Sequence, residues 1–332
     1  MKKIKKVAAV VFLLALIAGT VWIVKFRGTA TLRVAEGPIF GTFYHIKYEA
    51  SEPLDSAILN ELRAVDNSLS TFNQLSTISR INSNRSQRTD AMLYDIVQRA
   101  QAVSEATDGA FDITVMPLVN AWGFGFRKGI FPDSAQVDSL RRLVGFRRIS
   151  LGADSLLRKS DPRMMIDCAA IAKGYGVDRV AKVLRDHGVR NFMVEIGGEV
   201  VVKGRNPEGH PWQIGVSKPV EGNKLGHGDL QLVLSLENCA LATSGNYRNF
   251  YVRDGKKYAH TIDPRTGRPV QHSLLSATVA APTCATADAY ATAFMVMGVA
   301  EARQLLEKHR ELKAILIYSD TDGKMRVLRI RL

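Results

Sequence analysis

The apolar period of this chain switches repeatedly between two and about 3.6 residues, and it does so without a regular beat. That irregularity constrains the fold most. A doubly wound sheet needs strands and crossover helices in steady alternation, and here runs of strands stand beside runs of helices. Residues 42–48 mix β-branched and aromatic side chains as a strand does. Pro53 opens a helical pattern through Leu59, Leu62, Val65 and Leu69, and further helical patterns cover 91–107, 134–143 and 170–187. Residues 191–202 read as a strand interrupted by Gly197-Gly198, where the backbone must turn or approach something closely. Strands are predicted at 211–216, 229–236 and 274–281, with a hairpin at Asp254-Gly255. Helices at 284–297 and 299–309 and strands at 313–318 and 325–331 close the chain. No Pro/Ser-rich linker, charge block or repeat divides residues 30–332. The expected fold class is therefore α+β, in a single mixed α/β domain.

Ahead of that domain, Lys2, Lys3, Lys5 and Lys6 precede an uncharged run from 7 to 24, and Lys25 and Arg27 follow it. The run reaches the short end of the roughly 17–25 residues that span a bilayer. It exceeds the roughly 7–15 of a signal-peptide core, and no A-x-A-like cleavage site follows. The expectation is a cytoplasmic basic tail at 1–6, a transmembrane signal anchor at 7–24 and a body at 25–332 outside the inner membrane, on its periplasmic side. A cleaved signal peptide and a buried core helix are the alternatives. The net charge of +13 invites a nucleic-acid partner, but six of the 45 Lys and Arg lie in the first 27 residues, which hold no acid. The remaining body is only mildly basic, which suits an anionic ligand and does not call for nucleic acid. Three cysteines without C-x-x-C spacing argue against a disulfide scaffold or structural zinc.

The common catalytic motifs are missing. There is no P-loop, no Rossmann fingerprint, no H-E-x-x-H and no G-x-S-x-G. Four local constellations remain. In Ala287-Asp288-Ala289-Tyr290-Ala291-Thr292-Ala293, a carboxylate and a hydroxyl are four residues apart and share a helix face lined by small neighbours. Oxygen donors at that spacing suit Mg²⁺; from spacing alone, a helix packed through its alanines with Asp288 as a cap is the simpler reading. Ile166-Asp167-Cys168-Ala169-Ala170-Ile171-Ala172-Lys173-Gly174 runs from a strand end into a helix and makes either an anion cradle or a helix with Lys173 on its solvated face. Tyr258-Ala259-His260-Thr261-Ile262-Asp263-Pro264-Arg265-Thr266-Gly267 sets a tight Asp-Pro-x-x-Gly turn beside His260, which is a general base or a structural histidine. Gly109-Ala110-Phe111-Asp112-Ile113-Thr114 lies near Trp122-Gly123-Phe124-Gly125, giving aromatic faces for a planar ring or simply for a core.

These four stretches, in their order along the chain, resemble the ApbE family of flavin transferases. Phe40-Gly41-Thr42-Phe43, Ser70-Thr71-Phe72-Asn73, Glu195-Ile196-Gly197-Gly198-Glu199 and Thr243-Ser244-Gly245-Asn246-Tyr247 extend the resemblance over about 37–332. It implies an exported, Mg²⁺-dependent FAD:protein FMN transferase that moves FMN from FAD onto a Thr or Ser hydroxyl of an exported redox protein and releases AMP. It implies metal ligation by Asp288, Thr292 and the Ala170 carbonyl, with Ala291 bordering the ion. Phe40, Phe72, Ala110, Phe111, Asp112, Asp167, Lys173 and Ile262 fall where the family contacts FAD, and His260 matches the suspected base. The chain departs from the family pattern at Phe40, often Met, at Phe72, often Tyr, and in having no lipid-attachment cysteine. It carries no Ser/Thr-Gly-Ala-Ser/Thr acceptor motif of its own. The same site with water as acceptor would be an FAD pyrophosphatase. A non-catalytic flavin-binding module would be expected to have lost Asp288, Thr292 or His260, and all three are present.

Overall fold

A computed structural model describes residues 11–19, 30–126, 131–219, 229–246, 250–253 and 256–332. The centre of the molecule is an eight-stranded sheet whose strands follow one another in space in the order they occur in the chain. They are β1 (Thr31–Ile39), β2 (Thr42–Ala50), β3 (Phe192–Ile196), β4 (Glu199–Lys203), β5 (Cys239–Gly245), β6 (Leu274–Ala281), β7 (Lys313–Ser319) and β8 (Met325–Ile330). Every neighbouring pair is antiparallel. The sheet is thus a meander, and everything else is an excursion between consecutive strands. This is the α+β arrangement that the irregular periodicity predicts.

Four long helices, α1 (Asp55–Leu69), α2 (Ala91–Ala106), α3 (Ala169–Asp186) and α4 (Cys284–Lys308), pack against one face of the sheet. The strand period of two sorts side chains between the faces. Ala314 and Leu316 of β7 join the helices, while Ile315 and Ile317 join a second core on the other side. That second core is closed by a hairpin of Trp212–Ser217 and Leu230–Leu236, which covers β4 to β7. The expected boundaries hold closely here, including the break in α4, where Gly298 takes φ 74° against the ring of His272. Gly197 and Gly198, at φ 62° and 107°, make the reversal between β3 and β4.

Strand β1 and the short helices Thr77–Asn82 and Met116–Ala121 are not foreseen by the periodicity. β1 carries Glu36, Gly37 and Pro38 and lies at the sheet edge, where burial leaves little pattern. The expected turn at Asp254-Gly255 lies outside the described residues, but the strands it would join, Phe250–Arg253 and Lys256–Ala259, do pair. Of the expected anchor at 7–24, residues 11–19 are helical and 7–10 and 20–24 lie outside the described residues, as does the tail at 1–6. Among the described residues no helix is long and apolar enough to cross a membrane.

α3 and α4 meet closely. A Cβ on Gly174 would stand 2.6 Å from the Cys284 carbonyl carbon and 2.9 Å from the Ala285 Cα, so only glycine fits there. The carboxylate of Asp178, one turn along α3, accepts hydrogen bonds from the Cys284 and Ala285 amides, both at 2.9 Å. It thereby caps the first turn of α4, where four amides have no helical partner. Gly174→Ala should force the helices apart and cost roughly 1–3 kcal/mol, as overpacking does. Urea unfolding followed by circular dichroism reads this as a lower midpoint, and a wild-type midpoint would show that the contact is slack.

Candidate active site

A cavity of 690 Å³ opens where α3, α4, β4 and β5 meet the segments 110–124 and 250–264. That volume lies within the roughly 300–1,000 Å³ usual for small-molecule sites. Ala110, Phe111, Asp112, Asp167, Ala170, Lys173, His260, Ile262, Asp288 and Thr292 all line it. The structure therefore brings together ten of the residues singled out in the sequence, from stretches up to 182 positions apart. Phe40, Phe72 and Ala291 are not among the lining residues. Phe40 stands at the tip of the β1–β2 hairpin at φ 50°, with its ring against Gly176 of α3. Phe72 is 77% exposed and meets Phe126 edge to face at 5.3 Å. Ala291 is buried in the core behind the α4 face that carries Asp288 and Thr292.

Charge concentrates at the floor. Asp288 is almost fully buried, and its Oδ2 accepts from the Gly174 amide at 3.0 Å. In an ideal helix that amide would serve the carbonyl of Ala170. Lys173 Nζ is 2.6 Å from Glu199 Oε1 and 4.0 Å from Asp288 Oδ1. Burial works against the Lys173 ammonium, but Asp288 and Glu199 outweigh it and hold its pKa above the ordinary lysine value. Burial raises both carboxyls, with Lys173 opposing the rise in each case. One helical turn above Asp288, the Thr292 hydroxyl lies 3.3 Å from that of Ser244 on β5. Among the described residues no group of three or more His, Cys, Asp or Glu is placed to hold a metal ion.

The walls are built by turns. Asp112 Oδ1 accepts from both the amide and the hydroxyl of Thr114 at 2.7 Å, and its Oδ2 accepts from the Phe146 amide at 2.8 Å. Burial raises its pKa against those hydrogen bonds. Its side chain thus fixes the loop that presents Ala110 and Phe111 to the cavity. Asp167 accepts from the Ala169 amide at 2.9 Å at the entry to α3, and burial raises it too. The turn predicted at 263–267 forms: the Gly267 amide donates to the Asp263 carbonyl at 2.7 Å, and Gly267 takes φ 73°. It anchors the strand Ile262–Asp263 that follows His260. The imidazole meets Phe124 edge to face at 6.3 Å, and Phe124 packs on Tyr251 at 4.8 Å.

Glu199 and Ser244 also line the cavity, although no local pattern singles them out as site residues; both lie in stretches that carry the resemblance. The signal for Glu199 was a lone carboxylate heading the apolar run Val200-Val201-Val202. Its burial at 1% exposure needs a partner, and Lys173 is that partner.

The family model "ApbE family" matches residues 40–316. The chain belongs to the ApbE family. A Vibrio cholerae protein named FAD:protein FMN transferase is 37% identical over 298 residues, covering 86% of this chain and 87% of its own. One of the same name from Haemophilus influenzae is 38% identical over 300 residues, covering 86% of each. The solved flavin transferase ApbE from Vibrio cholerae superposes with a TM-score of 0.81 at 34% identity, covering 91% of this chain and 98% of its own. In this ApbE chain, Asp112→Asn would leave the Phe146 or Thr114 donors facing an amide NH₂. That change should cost roughly 1–3 kcal/mol and lower the thermal midpoint. An unchanged midpoint would mean that the loop is held from elsewhere.

Proposed function

We propose that this chain is an FAD:protein FMN transferase that joins the FMN half of FAD to a Thr or Ser hydroxyl of an exported acceptor protein and releases AMP. The observation that carries the reading is the convergence of Asp288, Thr292, Lys173 and His260 on one cavity in a chain of this family. The donor set fits a hard divalent cation. Among the described residues Asp288 Oδ1 has only the ammonium at 4.0 Å, and Thr292 adds a hydroxyl; beside them the buried Glu199 Oε2, without a hydrogen-bond partner among the described residues, adds negative charge and is not counted as a donor. The Ala170 carbonyl would complete the protein's share, with Ala291 bordering the site from the core. Among the described residues that line the cavity, Asp112, Asp167, Glu199 and Asp288 are set against one lysine, so a diphosphate meets an excess of carboxyl groups there. Mg²⁺ keeps few protein ligands, and when bound it would supply the missing positive charge and polarise the phosphoryl oxygens.

In the proposed reaction the acceptor hydroxyl oxygen bonds to the FMN phosphorus, the bond to the AMP phosphate breaks, and the hydroxyl proton passes to His260. Ala110, Phe111, Asp112, Asp167, Lys173 and Ile262 would contact FAD within the cavity. Phe126 is two residues from the cavity-lining Phe124, so the Phe72–Phe126 pair extends that wall outward. Phe40 would act on the ligand through the α3 backbone it packs against. The Lys173 ammonium, engaged by Glu199, is a fixed charge at the cavity floor and not a mobile phosphate-binding arm.

Incubation of a candidate acceptor with the enzyme, FAD and Mg²⁺ should add one FMN to its mass, and release of free FMN and AMP without labelling would mark a pyrophosphatase. His260→Ala should still bind FAD while transfer falls by roughly 10²–10⁴, as for loss of a general base. The loss should be largest near neutral pH, where the hydroxyl most needs help. Asp288→Ala should impair transfer and any FAD hydrolysis together. A His260→Ala variant labelling at the wild-type rate would place the base elsewhere.

We further propose that the protein is anchored by 7–24 with its body outside the inner membrane. Val11, Phe12, Leu13, Leu14 and Ile17 of the 11–19 helix are exposed, which supports an apolar surround for them. Carbonate-washed membranes should retain the full chain, and a soluble form beginning near residue 25 would show cleavage.

A further inference from the structure

Glu199 is the charged group of the cavity to which the reaction above gives no task. It heads β4 directly after the Gly197-Gly198 reversal, and its side chain reaches the cavity floor between α3 and α4. Oε1 pairs with Lys173, while Oε2 is buried without a partner among the described residues. A buried, unpartnered carboxylate oxygen is costly, so an apolar residue would stabilise this position better unless the carboxylate does something. Lys173 shows what that is. Its ammonium stands between two buried carboxylates, at 2.6 Å from one and 4.0 Å from the other. The longer distance is outside hydrogen-bond range.

We propose that Glu199 is a positioning residue: it holds the Lys173 ammonium off Asp288, so that Asp288 Oδ1 stays available to a divalent cation. The inference rests on the cation site assigned above. Asp288 has two carboxylate oxygens, and the Gly174 amide occupies Oδ2. An ammonium in contact with Oδ1 would put the same sign of charge as the cation on the oxygen that the amide leaves free. Lysine sits on a flexible four-carbon stem, so without its partner on β4 it needs only a small rotation to reach Asp288. Glu199 therefore decides whether the one carboxylate of the Asp288/Thr292 pair faces a cation or an ammonium. Partners of this kind, which orient ligands without touching the ion, change metal affinity by roughly 10–100-fold.

The test is Mn²⁺ binding, read by the loss of the free-ion electron paramagnetic resonance signal, on the full chain without FAD. Glu199→Gln keeps the shape and removes the charge, and should weaken Mn²⁺ binding by roughly tenfold or more. Adding Lys173→Met to Glu199→Gln removes the competing ammonium and should restore affinity to near the wild-type value. A Glu199→Gln variant with wild-type affinity would overturn the proposal. So would a double variant as weak as Glu199→Gln, which would show that Glu199 acts as a ligand or by its charge alone. If Glu199→Gln does not fold, Lys173→Met alone decides, because it should bind Mn²⁺ at least as tightly as wild type, and weaker binding would refute the competition. A wild-type chain that binds no Mn²⁺ would instead bring down the cation reading itself.

Discussion

The site depends on one helix–helix contact. α3 and α4 approach so closely at Gly174 that its amide, bare of any side chain, donates to the carboxylate of Asp288. That hydrogen bond does two jobs. It satisfies a buried acid, and it sets the height of Lys173 relative to Asp288, since the two residues are fixed to helices that cannot slide. Asp178 reinforces the register by holding the first amides of α4. The i, i+4 pair of Asp288 and Thr292 then presents to the cavity at a fixed angle, with Ser244 completing the polar strip from β5.

Around that contact the charge is deliberately unbalanced. A buried acid is tolerated when a partner and hydrogen bonds repay its desolvation, and here two buried acids share one ammonium. The imbalance makes the floor receptive to positive charge and hostile to a naked diphosphate. The other two acids of the cavity are tied to the backbone. Asp112 serves three donors and Asp167 one, so both act on the backbone that shapes the wall.

Much of this was legible in the sequence, and what was not has physical causes. The helices α1 to α4 were readable because each buries a stripe that repeats every 3.6 residues, and the Gly298 break because glycine alone accepts that backbone conformation cheaply. Strand β1 was invisible because an edge strand with Glu36, Gly37 and Pro38 buries too little to leave alternation. The pairing of Asp288 with Thr292 followed from helix geometry, but the approach of Glu199 to Lys173 did not. It depends on how β4 lies across α3, which no local pattern records. The edge-to-face contact of Phe72 with Phe126 was not legible either, because a position in a motif does not say which way a loop turns.

The meander carries a consequence for how the chain matures. β2 and its neighbour β3 are separated by residues 51–191, so while the chain emerges from its N-terminus the β1–β2 hairpin waits with an open edge. Hydrogen-bonding groups left unpaired along a strand invite pairing with other chains. On that waiting edge β2 alternates His45, Lys47 and Glu49 with its apolar residues, charges of the kind that discourage such contacts. In the finished sheet the second core covers β4 to β7, so the same polar side chains lie on the face of β2 that this core leaves uncovered.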